Sequence, residues 1–300
     1  MGVAPPLDLS IVIVSYNVAG MLRDCLRSLR HDLELLSAEV FVVDNASADG
    51  SADMVEAEFP WVTLIRNEEN RGFGAANNQA LRLARGRYLL MLNPDTWVPP
   101  RALVEMVAFM DRRPDVGAAG PRLIRADGSL DLACRRTFPS PEVAFYRLSG
   151  LARLFPHSPR FARYNLLDTD PRDSMEVDSV VGAFMMVRKS VADRVGLLDE
   201  AFSMYGEDLD WAYRIKEAGH LVWYHGPVVV LHYKGESSRQ RSDQALRWFY
   251  DAMHVFYRKH YEATRPRVTT LAVHTAIDGL KRAALLRNRL RPPSRRRVSG

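Results

Sequence analysis

Cysteine is scarce: 300 residues contain two, Cys25 and Cys134. Two thiols cannot build a disulfide framework, so a reducing compartment is the default expectation. No apolar run approaches the roughly 18 residues of a membrane-spanning helix. The longest stretches, near residues 180–187 and 228–231, have the length of buried strands. Residues 1–10 lack the charged-then-apolar order of a signal peptide. There is no internal repeat. With 47% apolar and 26% charged residues, the composition excludes a wholly disordered chain. The length excludes a peptide hormone or a disulfide-stapled mini-protein. These absences predict a cytoplasmic globular protein that relies on its core.

Charge of one sign is concentrated. The net charge is +5, yet residues 263–300 hold ten Lys/Arg against one acid, Asp278, which leaves the first 262 residues at −4. A nucleic-acid-binding domain would carry a basic stripe on its folded face. A mildly acidic body with a basic tail points instead to an anionic surface met by the tail alone.

The first 120 residues alternate strand and helix signals. LSIVIVS (residues 9–15) is a near-continuous apolar run, as in a strand buried on both faces. Met21, Leu22, Cys25, Leu26 and Leu29 follow at helical spacing. Strands are expected at 39–43, 61–66, 88–92 and 116–120, and helices at 49–59, 75–84 and from Pro99-Pro100 to about residue 112. Repeated β-α-β units imply a mostly parallel central sheet flanked by helices, an α/β fold. A hairpin is expected around Asp127-Gly128, and residues 135–173 read as an excursion of short helices and loops. Regular signals return with a strand at 177–187, a helix at 209–218, strands at 221–224 and 228–231, and an amphipathic helix at 240–261. The apolar face of that last helix is expected to be buried within one chain, and the oligomeric state is left open.

In open parallel sheets, ligands bind beyond the carboxyl ends of the strands. Polar residues gather there. The first strand runs into Ser15-Tyr16-Asn17 and the second into Asp44-Asn45-Ala46-Ser47. NEENRGFGAANN (67–78) follows the third, and Asn93-Pro94-Asp95-Thr96 the fourth. Turn-forming chemistry would explain any one of these loops; four together suit a nucleotide. Asp44 can accept hydrogen bonds from a base or ribose. Gly72, Gly74, Asn77 and Asn78 lie at a helix start, where free N–H groups favour anions. GFGAAN looks like a broken dinucleotide fingerprint, but it follows the third strand rather than the first, which argues against NAD. Asp95 either holds a divalent cation beside a diphosphate or caps the next helix.

The second half adds Tyr205-Gly206-Glu207-Asp208-Leu209-Asp210-Trp211. Glu207 and Asp208 stand at a helix start, where acids are common because the dipole favours them; the same placement suits a general base. Trp211 can stack on a sugar ring. His232 ends the last strand before Lys234, Ser237 and Ser238, a set suited to a metal and phosphates, although a histidine at a strand end is more often simply polar.

Taken in order, SIVIVSYN (10–17), VVDNASADGS (42–51), RGFGAANN (71–78), LNPDT (92–96), GAFMMV (182–187) and MYGEDLDW (204–211) resemble glycosyltransferase family 2, in particular its bacterial rhamnosyltransferase-like branch. The resemblance covers residues 9–261. It implies a GT-A fold over residues 1–238, with a nucleotide-binding half (1–120) and an acceptor and catalytic half (121–238). Residues 239–300 form C-terminal helices and a basic tail. It also implies a nucleotide-sugar donor and inversion at the anomeric carbon. By this resemblance Ser15, Asn17, Asp44, Asn45, Ser47, Arg71, Gly72, Asn77, Asn78 and Asn93 hold the nucleotide-sugar. Asp95 and His232 hold Mg²⁺ or Mn²⁺. Asp208, with Glu207 beside it, is the base. Gly182, Phe184 and Trp211 meet the acceptor. Asn93 stands where many members have the first Asp of a metal motif. The donor implied is dTDP-L-rhamnose or a UDP-sugar, and the acceptor a cell-surface or polyprenyl-diphosphate-linked glycan.

Two other classes compete. A sugar nucleotidyltransferase would want a glycine- and lysine-rich loop after its first strand, and YNVAG (16–20) offers none. A non-catalytic nucleotide-sugar-binding protein would not need Asp44, Asp95, Glu207 and Asp208 together. In the tail, Leu271, Val273, Ala276, Ile277, Leu280, Ala284 and Leu285 form a rough apolar face with basic residues after it. Such a helix either lies on the inner face of an anionic membrane or docks on the protein.

Overall fold

A nine-stranded sheet runs through the computed structural model in the order β3-β2-β1-β4-β8-β6-β9-β5, with β7 added on β9. The structure describes residues 7–290 except 141, 144, 145, 147–149, 156, 157, 162 and 234–241. Strands β1 (Leu9–Ser15), β2 (Ala38–Asp44), β3 (Val62–Arg66) and β4 (Tyr88–Leu92) are parallel neighbours. Their near-continuous apolar runs follow from this, because helices cover both faces and leave no face wet. Helices α1 (Ala19–Leu33), α2 (Ser51–Glu58), α3 (Phe73–Leu81) and α4 (Ala102–Arg112) make the crossovers. The sheet is mixed beyond β4. Strand β8 (Phe184–Arg188) runs antiparallel to β4 and to β6 (Val116–Ile124), while β6 and β9 (Leu221–His232) pair in parallel. Strands β5 (Thr96–Trp97) and β7 (Met175–Val177) both pair antiparallel to β9.

Three elements depart from the sequence pattern. Residues 177–187 are not one strand: the chain turns at 178–183 so that Ser179 bridges Arg136 before β8 begins. Gly120 permits the approach, since a Cβ there would stand 2.9 Å from Val180 Cβ. Residues 221–231 are one strand rather than two. Gly226-Pro227 is absorbed as an irregularity opposite Pro121/Arg122, with Gly226 pressed on the Arg172 backbone, the positional use glycine and proline have in strands. Strand β6 also runs on past Gly120, and Arg125 and Ser129 then close the expected hairpin.

The excursion at 135–173 holds a short helix α5 (Leu151–Leu154) and a 3-10 turn at Arg163–Asn165. It is anchored by buried Arg135, whose guanidinium donates to Thr169 and Asp170. Helices α6 (Lys189–Val195), α7 (Glu207–Glu217), α8 (Ser242–His260) and α9 (Arg267–Leu290) complete the fold. On α9, Val273, Ile277, Leu280, Ala284 and Leu285 pack on Leu246, Phe249, Tyr250 and Met253 of α8. Most of the apolar face read in the tail is therefore docked on the protein. Cys25 and Cys134 are buried and unpaired, and burial pushes the Cys25 thiol up to about 12. Among the described residues no helix is long and apolar enough to cross a membrane.

Asp32, buried near the end of α1, caps α4 from outside by accepting from the amides of Arg101 and Leu103, the latter at 2.7 Å. Asp32→Ala leaves both donors without these partners, that of Leu103 buried. The expected loss is about 2 kcal/mol by urea unfolding, with Asp32→Asn recovering part of it; an unchanged midpoint would mean the helix start rearranges freely.

Candidate active site

Parallel pairing in register places Ser15 opposite Asp44 at the carboxyl edge of β1 and β2. Asp44 Oδ2 accepts from the Ser47 amide at 3.0 Å. Among the described residues, Asp44 Oδ1 and Ser15 Oγ, both buried, have no partner. Unsatisfied buried polar atoms are rare, and these two stand on adjacent strand ends, where a polar ligand could supply the missing partners. Asn17, at φ 54°, locks this edge: its amide donates to Ser47 Oγ at 3.0 Å and its Oδ1 accepts from Ala48 at 2.7 Å.

The loop after β3 is tied down through Asn45. Its Oδ1 accepts from Asn67 and from the Arg71 amide, and its Nδ2 donates to Asn70 and the Gly72 carbonyl. The Gly72 amide goes to Asn70 Oδ1 and the Phe73 amide to the Ser203 carbonyl. The Gly72 and Phe73 amides at the start of α3 are therefore already engaged within the protein. Asn77 turns back to the Phe73 carbonyl, and Asn78 joins α3 to Leu198 and Glu200. Asn45 and Asn78 thus hold the chain in place with both ends of each amide engaged within the protein, while Asn77 has its Nδ2 engaged by the Phe73 carbonyl.

At the fourth strand end the Asn93 amide donates to Ala183. Pairing of Thr96 with His232 in β5 and β9 sets Asp95 beside the imidazole, Oδ1 to Nε2 at 3.3 Å. His232 Nδ1 meets Asp131 Oδ2 at 2.9 Å. Burial alone would lower the His232 pKa, but the bonds to Asp131 and Asp95 raise it to about 9. Residues 234–238, read as phosphate-suited, lie outside the described residues.

Asp208 is the second residue of α7 and is buried. Its Oδ2 accepts from Arg136 at 2.8 Å and from the Gly182 amide at 2.9 Å, and its Oδ1 accepts from the Leu209 amide. Arg136 also donates to Ser179 and to the Val180 carbonyl. Its pKa stays above the ordinary arginine value although burial opposes the charge, because Asp208, Tyr164 and Asp131 act on it. Glu207 has no such cation. Burial first, and then the charge of Asp208, raise it to about 8, and its Oε2 is unpartnered. The two adjacent acids are thereby pushed apart in character, one ion-paired and one holding its proton.

Two expected acceptor contacts are corrected. Trp211 is fully buried and its indole N–H donates to the Gly196 carbonyl; Phe184 is fully buried in β8. Both are core. Gly182 acts through its amide on Asp208. Arg136 and Asp131, which bring the cation to Asp208 and the carboxylate to His232, escaped the sequence reading because both lie in irregular chain with no motif around them.

The family model for glycosyl transferase family 2 matches residues 10–196. The chain belongs to glycosyltransferase family 2. The match takes in Ser15, Asp44, Asp95 and Arg136 and stops before Asp208 and His232. The N-acetylglucosaminyl-diphospho-decaprenol L-rhamnosyltransferase of Mycobacterium tuberculosis is 27% identical over 259 residues, 83% of each chain. Two solved structures share the fold. S. aureus TarS matches with a TM-score of 0.58 at 16% identity over 93% of this chain and 43% of that one. The mannosyltransferase PcManGT from Pyrobaculum calidifontis, in complex with GDP-Man and Mn²⁺, matches with a TM-score of 0.54 at 19% identity over 83% of this chain and 64% of that one. This family 2 chain spans less than two thirds of either. The expected GT-A fold is the observed one, a mixed sheet flanked by helices with a helical C-terminal region.

The Glu207 proton has a thermodynamic consequence. The unfolded chain releases it near 4.5 whereas the folded chain keeps it to about 8, so stability falls as pH rises through that window. Glu207→Gln removes this contribution. Urea midpoints across pH 5 to 8 are expected to fall more steeply for the parent than for the variant; parallel curves would show that Glu207 ionises normally.

Proposed function

We propose that this chain is an inverting glycosyltransferase that moves L-rhamnose from dTDP-L-rhamnose to a hydroxyl of a polyprenyl-diphosphate-linked or other cell-surface glycan precursor. The observation that carries a nucleotide-sugar donor is the unpartnered pair Ser15 Oγ and Asp44 Oδ1 at the β1–β2 edge. The likeness to the mycobacterial rhamnosyltransferase supports the sugar and the acceptor class. On this reading residues 1–120 bind the nucleotide, residues 121–238 supply the acceptor side and the base, and residues 239–300 serve attachment.

Asp208 accepts the proton of the attacking hydroxyl. Its bonds to Arg136, Gly182 and Leu209 fix its orientation and leave acceptor capacity on a carboxylate that has about four acceptor directions. Glu207, neutral beside it, adds no second negative charge. A positioned general base contributes roughly 10²–10⁴-fold in rate.

The donor set at Asp95 and His232, one carboxylate oxygen and one imidazole nitrogen that gives up its proton on binding, fits Mn²⁺ or Mg²⁺ as part of a site. Among the described residues no group of three or more His, Cys, Asp or Glu is arranged to hold a cation, so diphosphate and water would complete it. When bound, the cation offsets the charge of the leaving diphosphate. Asp131 holds the imidazole with Nε2 turned to Asp95, as carboxylates behind metal-binding histidines do.

Thermal stabilisation against dTDP-, UDP-, GDP- and CMP-sugars, with Mn²⁺ and with chelator, tests the donor. A ligand at about 100 times its dissociation constant adds about 2.7 kcal/mol. A Mn²⁺-dependent shift with dTDP-L-rhamnose is expected. A shift confined to a UDP-sugar would keep the transferase and change the sugar; none at all would favour a non-catalytic protein. With the donor fixed, Asp208→Asn is expected to cut transfer by roughly 10²–10⁴-fold and leave the donor-induced shift intact, whereas retained turnover would move the role to Glu207.

Asp131→Asn is expected to weaken Mn²⁺ binding roughly 10–100-fold, read from free-Mn²⁺ paramagnetic resonance without any turnover. Equal affinity in the variant would remove Asp131 from the site.

A further inference from the structure

Helix α9 is apolar on two sides. The side described above is used against α8. The other leaves Val268 81%, Leu271 69%, Leu286 61% and Leu290 78% exposed. At 3.6 residues per turn these four side chains fall within an arc of about 100°. Exposed Ala272, Thr275, Gly279 and Ala283 fill most of the strip between them, and one large polar side chain, exposed Arg282, falls within it near the Leu271 side. Exposed Arg267 and Arg289 border one side and Arg287 the other. The one acid on the helix, Asp278, is engaged by His254 at 3.1 Å.

A strip of aliphatic side chains edged by arginines is the pattern of a helix lying in a membrane interface. Charge chooses among occupants. A second copy meeting this face through a two-fold axis would set arginine rims against each other. Nucleic acid would use the arginines and leave the four aliphatic side chains in water. An anionic bilayer satisfies both, with phosphates at the rim and acyl chains under the strip.

We propose that the outward face of α9 binds an anionic lipid bilayer in the plane of the interface, with α8 fixing that helix to the catalytic fold. The inference needs neither the donor nor the acceptor assigned above, and its failure would leave them standing.

Flotation of the full chain tests it, using vesicles of phosphatidylcholine alone and of equal parts phosphatidylcholine and phosphatidylglycerol. Binding is expected on the anionic vesicles and is expected to weaken with salt. Leu271→Asp with Leu286→Asp is expected to lower partitioning at least tenfold with melting temperature and donor-induced stabilisation unchanged. Replacing Arg282, Arg287 and Arg289 by Gln is expected to lower it about a hundredfold at low salt, roughly fivefold for each basic residue. Three results would overturn the proposal. One is no binding, or equal binding to both vesicles. Another is wild-type binding by the double Asp variant, which would leave the charges of residues 291–300 responsible. The third is a dimer in light scattering that the double Asp variant dissociates, which would make the face a subunit contact.

Discussion

Asp44, Asp95, Asp131, Glu207 and Asp208 are each less than a tenth exposed, and a buried carboxylate is costly unless a cation or several donors meet it. How this molecule meets that cost determines its site. His232 stands between Asp95 and Asp131. Arg136 answers Asp208. Glu207, left without a cation, stays protonated above the usual carboxyl range through burial and its neighbour's charge. Asp44 has one oxygen satisfied by a backbone amide and one by nothing. The unanswered acceptor and the paired ones together outline where a ligand would bring its own donors.

The strand ends could be read from sequence because parallel strands buried on both faces must be apolar along their length, so polarity resumes only where they stop. LSIVIVS runs into Ser15-Tyr16-Asn17, and YLLML into Asn93-Pro94-Asp95, with no ambiguity of period. Asp44 and Asp95 were legible for that reason. What the pattern could not tell is which of the gathered polar residues face outward. Asn45 and Asn78 look like ligand-binding amides in sequence, yet each joins two loops by several hydrogen bonds. Residue type records the capacity to bond, and only the packing decides the partner. Trp211 fails for a related reason. It sits on the inner face of α7, and its indole N–H had a carbonyl to satisfy there.

Arg136 and Asp131 were illegible because their roles arise from long-range juxtaposition. Arg136 reaches Asp208 across 72 positions and Asp131 reaches His232 across 101. Neither belongs to a periodic segment, and the turn at 178–183, misread as strand, is what brings the Val180 carbonyl and the Gly182 amide to the same place. The misreading has a physical source: VDSVVGAFMMV is apolar enough to be a strand throughout, and Gly182 alone hints at the break.

The C-terminal helices show an apolar pattern that sequence alone leaves between two partners. An isolated helix with Val273, Ile277 and Leu280 on one side is equally suited to lipid or to protein. Helix α8 resolves the choice, because its own apolar face needs cover and offers Leu246, Tyr250 and Met253 at matching height. Once that face is taken, the exposed Val268, Leu271, Leu286 and Leu290 lose the explanation that they are leftovers of a docking stripe, since they lie on the opposite side. Single exposed leucines need no account. Four on one helix face, with arginines beside and among them on a body of opposite net charge, make an amphipathic surface that asks for a partner. If a family 2 transferase takes its acceptor from a lipid carrier, a helix that holds it at the headgroup layer confines its search for that acceptor to two dimensions, and the same helix leaves the sheet edge free to exchange a water-soluble donor.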